Sequence, residues 1–310
     1  MQSGPQRFAC TSCGLCCNRG PEMELSEATA LAGAFVVSLL FKVHSLPLSD
    51  RSAWSGQWWR SRESRIPLRP ALDEAQRHLR HFATRRIDRQ RDRQVFLDIS
   101  VIVEDDGQGR CPALADGLCT IYDARPLSCR TVPLHYSRAP STLQTHLDRF
   151  TRTPGYRCDT TAAAPVIVDG NKVVDPQLAA DRERATMLAR QDRRWKERLI
   201  AIMNDPAQAA AAGLPTYEAI LKNSDNGYAT MLPMIVAWRI ARDDGLLSDE
   251  ELRDICRKQA DVIRSATAPG TAPSKDARDA LAPYEFELSR PVYPVTGNLI
   301  DPSGSYSSGL

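Results

Sequence analysis

No glycine-rich phosphate loop, GxSxG elbow or HExxH pair occurs in these 310 residues. The signatures of nucleotide cradles, serine hydrolases of that type and zincins are therefore absent. Charge of one sign is also scarce. The formal net charge is only +2, which gives no global drive toward nucleic acid or an anionic membrane. The longest apolar stretch, residues 28–43, is shorter than the roughly 20 residues a membrane span needs. The opening Met1-Gln2-Ser3-Gly4-Pro5 has no basic run followed by an apolar core, so no secretory leader is expected. No internal repeat is visible. Nine cysteines are too few, and too clustered, for a disulfide framework in a chain this long. The expected compartment is the cytoplasm, where thiols stay reduced.

What is present is sulfur in two concentrated sets. Cys10, Cys13, Cys16 and Cys17 fall within eight residues; Cys111, Cys119, Cys129 and Cys158 follow downstream. In a C-x2-C-x2-C run three thiolates converge on one centre while backbone N–H groups point at the sulfurs. Iron–sulfur loops use that arrangement, and zinc knuckles use related pairs. Gly14 frees the backbone for the sharp turn this requires. Cys17 diverges from its neighbour Cys16 and so serves a second metal or an opposite edge of the same cluster. This favours a polynuclear site over a single tetrahedral zinc. Turn residues Gly117 and Pro126 flank the downstream thiols, and Arg125 and Arg130 can offset thiolate charge. His135 is a candidate mixed ligand. Cys256, alone after Ile255, reads as an inert small hydrophobe.

The opening C-x2-C-x2-C-C with Gly14, joined to C-P-x-L, G-x-C-x-I-Y and R-P-x-x-C-R, resembles the CxxCxxCC cysteine-cluster family. Its simplest members are called YkgJ-like and are described as a zinc- or iron-chelating domain. The resemblance covers residues 8 to about 158. It implies Cys10, Cys13, Cys16, Cys17, Cys111, Cys119 and Cys129 as ligands, with Cys158 matching a later family cysteine less closely. The long separation across residues 44–94 departs from the small members, and residues 160–310 have no counterpart in them. Some proteins with similar clusters are described as iron–sulfur oxidoreductases, and flagellin lysine-N-methylases carry a related one.

The expected fold is mainly α with few β-strands: a metal-organised cysteine-cluster domain over residues 1–160, a hairpin plus helical domain over 161–265, and an extended Pro/Gly/Ser-rich tail over 266–310. Ser26 is the expected N-cap of a buried helix running to about Val43. Residues 71–94 read as a basic helix with Leu72, Leu79, Phe82 and Ile87 along one face. Its arginines are interspersed with Asp73, Glu74, Asp88 and Asp92, so a solvated face is expected rather than a nucleic-acid footprint, with His78 and His81 solvated too. Residues 95–103 alternate as a half-buried strand, and residues 166–174 read as a hairpin with an Asp-Gly turn. Helices are expected at 177–203, 215–223, 228–243 and 249–265, the last opened by the capping box Ser248-Asp249-Glu250-Glu251. Trp54, Trp58 and Trp59 read as core anchors, and Tyr284, Phe286, Tyr293 and Leu299 as residues that tack down the tail.

Three functions fit the sequence. The first is an iron–sulfur protein, holding one or two 4Fe–4S clusters for electron transfer or a redox reaction with an unidentified partner. The second is a structural zinc- or iron-binding accessory protein mediating protein–protein contacts. The third is a cluster-dependent modifying enzyme such as a methylase.

Overall fold

The computed structural model describes residues 4–17, 20–48, 68–106, 108–266 and 275–290, with side chains described from residue 73 in the helix Leu68–Leu79 and from residue 279 in the helix Lys275–Ser289. Trp54, Trp58, Trp59, Tyr293 and Leu299 lie outside the described residues. Among the described residues 45% are helix and 21% strand, with sheets of five, three and two strands, so the fold is mixed α/β rather than mainly α.

The expected fold fails first where an apolar run hid a strand. Strands β1 (Gln6–Arg7) and β2 (Glu22–Met23) are short, and helix α1 covers only Leu25–Ala30. Glu24, not Ser26, occupies its N-cap position; the Ser26 amide donates to Asp192 Oδ2 at 2.9 Å. The chain then turns at residues 31–36 and runs as β3 (Val37–Pro47). Within residues 28–43 the few polar positions of this strand, Ser38 and Lys42, fall four apart, so the apolar run around them reads as a buried helix.

The basic segment is also composite. Helix α2 (Leu68–Leu79) stops there, and β4 (Ala83–Asp88) and β5 (Arg93–Val103) form a hairpin. Asp92, at φ 45°, sits in its turn. Strand β5 is buried on both faces, not half-buried. It pairs antiparallel with β3 along its whole length, from Val37 opposite Val103 to Pro47 opposite Arg93. On its other side β4 pairs the first half of β5 and β2 pairs the end.

Downstream, β6 (Leu114–Ala115) and β7 (Leu118–Cys119) form a small hairpin, and α3 (Leu127–Arg130) and α4 (Leu143–Thr151) follow. The expected hairpin is present as β8 (Val166–Asp169) and β9 (Lys172–Val173), and β8 pairs with β1. Its two turn residues are Gly170 and Asn171, with Gly170 at φ 55°. The helical stretch breaks at Asp192 into α5 (Pro176–Gln191) and α6 (Arg193–Met203), followed by α7 (Pro206–Ala212) and α8 (Tyr217–Asn223). Residues expected as one helix from 228 are β10 (Gly227–Pro233), which adds to the β3 edge, then α9 (Ile235–Asp243). Helix α10 (Asp249–Ala266) has its capping box: the Ser248 amide donates to Glu251 Oε2 at 2.7 Å, and the Glu251 amide to Ser248 Oγ at 3.2 Å. Residues expected as extended tail form α11 (Lys275–Ser289). Its Tyr284 is buried beside Trp238, whereas Phe286 is exposed.

Alternation splits the large sheet into two chemical faces. Val37, Leu39, Phe41 and Val43 of β3 and Val95, Leu97, Ile99, Val101 and Val103 of β5 join one apolar core with Trp195, Trp238, Ile255 and Cys256 from α6, α9 and α10. Cys256 is a core residue, as its sequence setting implied, and burial pushes its thiol up to about 12. The opposite phase carries Lys42, His44 and Asp98. The first half of the molecule is thus built on a sheet and an apolar core rather than around the cysteines, which corrects the metal-organised domain expected from the sequence.

Candidate metal centre and its cavity

The two cysteine sets, about a hundred residues apart in sequence, meet in space. Gly14, at φ 70°, presses on the β6–β7 turn: a Cβ there would lie 3.0 Å from the Gly117 carbonyl oxygen. The Cys111 amide donates to the Cys17 carbonyl at 3.2 Å. On the other flank Thr11 Oγ1 donates to the Arg157 carbonyl at 2.7 Å, and Ala9 bridges Asp159, tying the first loop to the Cys158 segment. Cys129 rides on α3, whose Leu127 amide donates to Glu27 Oε1 at 2.8 Å. A carboxylate from α1 therefore caps the turn that presents this thiol.

All eight expected ligands line one cavity of about 1340 Å³, together with His44, His78, His135 and His146. The thiols act on one another electrostatically across the loops. Cys158 is pushed up by burial and then by Cys16, Cys13 and Cys10. Cys17 is pushed up by its hydrogen bond with Cys16, by burial and by the charges of Cys16, Cys129 and Cys111. Cys111 and Cys129 are both raised, by burial first and then by neighbouring thiols including Cys119; Cys129 reaches about 12. Cys158 thus feels Cys10, Cys13 and Cys16, while Cys17, Cys111, Cys119 and Cys129 act on one another, and Cys16 acts on both Cys158 and Cys17. Cys16 is lowered to about 7 by the hydrogen bond from Cys17. Backbone hydrogen bonding at Leu15 is the largest influence holding Cys13 below the ordinary thiol range.

Among the described residues no group of three or more His, Cys, Asp or Glu closes to the spacing of ligands on one ion. Four sulfurs at ~2.3 Å from a tetrahedral zinc would lie about 3.8 Å from one another. The eight thiols therefore share a wall without forming a closed single-ion cage.

The arginines divide their work. Arg125 stacks over the Tyr122 ring at 3.6 Å, and its charge acts on Cys129. Arg130 is committed to Asp181, with N–O 2.8 Å. His135 lines the cavity but belongs to its charged side: Nδ1 accepts the Ser137 amide at 3.2 Å, and the ring acts electrostatically with Glu22, Lys42 and Asp98. Burial holds its imidazole down to about 3. His78, expected to be solvated, is mostly buried instead and is held down to about 4 by burial, as is His146.

Apart from His135, sequence reasoning missed that charged side. Lys42 Nζ lies 2.5 Å from Glu22 Oε2 and 3.0 Å from Asp98 Oδ2, and Tyr228 Oη donates to Glu22 Oε1 at 2.7 Å. Tyr228, Lys42 and Asp98 are register partners on three neighbouring strands. The available signal was the polar phase of β3, Ser38-x-x-x-Lys42-x-His44, once that segment is read as a strand.

Compared with protein-family models, curated proteins and solved structures, the chain matches none. The likeness to the CxxCxxCC family rests on the cysteine segments themselves.

Proposed function

We propose that the protein is a cysteine-ligated iron–sulfur protein that carries electrons, or drives a redox reaction, at the thiol wall of this cavity. The observation that carries the reading is the gathering of eight cysteines, from segments distant in sequence, around one cavity. Soft thiolates select thiophilic metals. Cys10, Cys13, Cys16 and Cys158 would hold one centre, and Cys17, Cys111, Cys119 and Cys129 a second. Such centres supply one-electron transfer.

The chain's own contribution is positional. The Gly14–Gly117 contact and the Cys17–Cys111 backbone bond fix the two loops against each other. Arg125 places positive charge beside Cys129, which favours its thiolate. The raised thiols explain why metal binding must release protons and strengthen with pH. A reducing, cytoplasmic compartment suits free thiols. No described helix is long and apolar enough to cross a membrane.

Anaerobic purification followed by iron, zinc and acid-labile sulfide analysis, with optical and EPR spectra, tests the reading. The expected result is a brown protein with iron and sulfide in equal amounts. A colourless protein with stoichiometric zinc and no sulfide overturns it in favour of a structural metal site.

A further inference from the structure

The helix that carries Cys129 is too short to hold its own shape. Helix α3 spans only four residues, Leu127–Arg130. A lone turn of that length is unfavourable, because several backbone angles are fixed for each hydrogen bond gained. Its N-cap residue, Pro126, offers no side-chain acceptor, and the Cys129 and Arg130 amides share the Pro126 carbonyl at 2.9 and 3.0 Å. The Leu127 amide is left to a partner from outside the turn.

Two carboxylates from other helices supply what the turn lacks. At its start, Glu27 of α1 accepts the Leu127 amide at 2.8 Å. At its end, Asp181 of α5 takes Arg130, with N–O 2.8 Å, and Gln177 donates to that carboxylate at 3.1 Å. Cys129 lies between the two and lines the cavity. Glu27 stands on a fixed platform. Leu25 and Ala28 of α1 are fully buried in the main core. Lys196 Nζ lies 2.6 Å from Glu24 Oε2, Asp192 accepts the Ser26 amide at 2.9 Å, and Trp238 Nε1 donates to Thr29 Oγ1 at 2.9 Å. The Glu27 carboxylate also meets the Glu24 amide, so it joins the starts of two helices. A contact across 100 positions of sequence thus ties the turn that bears the thiol to the apolar core.

We propose that Glu27 is a positioning residue for the metal site: by holding the first amide of α3, it sets Cys129 where a metal can take its sulfur. The proposal rests on the reading of Cys129 as a metal ligand. Glu27 acts through the helix and not on the metal, and the loss of such an outer partner lowers metal affinity about 10- to 100-fold.

A set of substitutions in the full-length protein, purified anaerobically, tests this. Glu27→Ala removes the acceptor, Glu27→Asp draws it back by one methylene, and Glu27→Gln keeps a side-chain oxygen in place. Cys129→Ser removes the thiol. Glu251→Ala removes the capping-box carboxylate of α10 and controls for a general loss of stability. Metal per chain is counted after dialysis against EDTA, amide exchange over residues 127–131 is followed by mass spectrometry in metal-free protein, and melting curves confirm folding. Glu27→Ala and Glu27→Asp should hold metal about tenfold or more weakly, matching Cys129→Ser. Glu27→Gln and Glu251→Ala should keep it. Exchange over 127–131 should quicken about fivefold in Glu27→Ala, the effect of one lost cap, and return in Glu27→Gln. The proposal alone is overturned if Cys129→Ser loses metal while the folded Glu27→Ala and Glu27→Asp keep it, if Glu251→Ala loses as much, or if the exchange is unchanged. A wild type without metal, or a Cys129→Ser that keeps all of it, overturns the ligand reading and the proposal with it.

Discussion

Single thiols in the cavity wall differ widely in acidity, and the difference can be read by alkylation. In metal-free protein the Cys17 hydrogen bond holds Cys16 below the ordinary thiol range, so Cys16 ionises more readily than its neighbours. Burial holds Cys129 at about 12. Iodoacetamide followed by mass spectrometry should label Cys16 well before Cys129; equal rates would contradict the hydrogen-bonded pair. Histidine gives a second reading. His135 titrates near 6.5 in an unfolded chain and about 3 in the folded one, so between those values the unfolded state holds more protons. Its contribution to stability is complete above about pH 6.5 and is lost as pH falls toward 3. In urea titrations His135→Gln should therefore lose less stability than the wild type between pH 6.5 and 4. A parallel pH dependence in the two proteins would sink the assignment. The cysteines were legible in the sequence because their chemistry lies in residue type and local spacing. Lys42 with Glu22 and Asp98 was not, because only the sheet brings these residues of distant segments together.

At the level of elements, one glutamine explains why the long apolar run is not a helix. Gln259 of α10 is fully buried, and its Nε2 donates to the carbonyls of Ala32 and Phe35, both at 2.5 Å, while Oε1 accepts the Val37 amide at 3.3 Å. It satisfies the turn that ends α1 and launches β3, a contact no window of local sequence contains. Gln259→Leu would strand three backbone groups and should cost about 2–4 kcal/mol in urea or thermal unfolding; a loss under about 1 kcal/mol would contradict this role. Elements with local signals were readable: β5 from its alternation, the β8–β9 hairpin from its turn, and α10 from its capping box. The β4–β5 hairpin was not, because its arginines carry no apolar period. Arg93 is nonetheless buried, held by Asp88 at 3.0 Å and Asp225 at 2.8 Å.

Across the whole molecule, most of the wall thiols stand outside the apolar core. The main core runs from Met23 to Tyr284 through the sheet and α6, α9 and α10; Cys111 packs against it and Cys158 against a smaller apolar cluster around Leu134 and Leu147, both only partly buried. Loss of a ligand thiol should therefore empty a metal site while leaving cooperative unfolding in place, unlike a small domain that folds only on metal. The division into two groups makes the test sharper. In anaerobically purified protein, metal and sulfide per chain are to be counted for the wild type, Cys13→Ser and Cys119→Ser. The account predicts two centres in the wild type, about half the metal in each variant, and a sharp melting transition in all three. A wild-type chain that carries no iron or sulfide, or a single substitution that removes all the metal and the melting transition together, would contradict it.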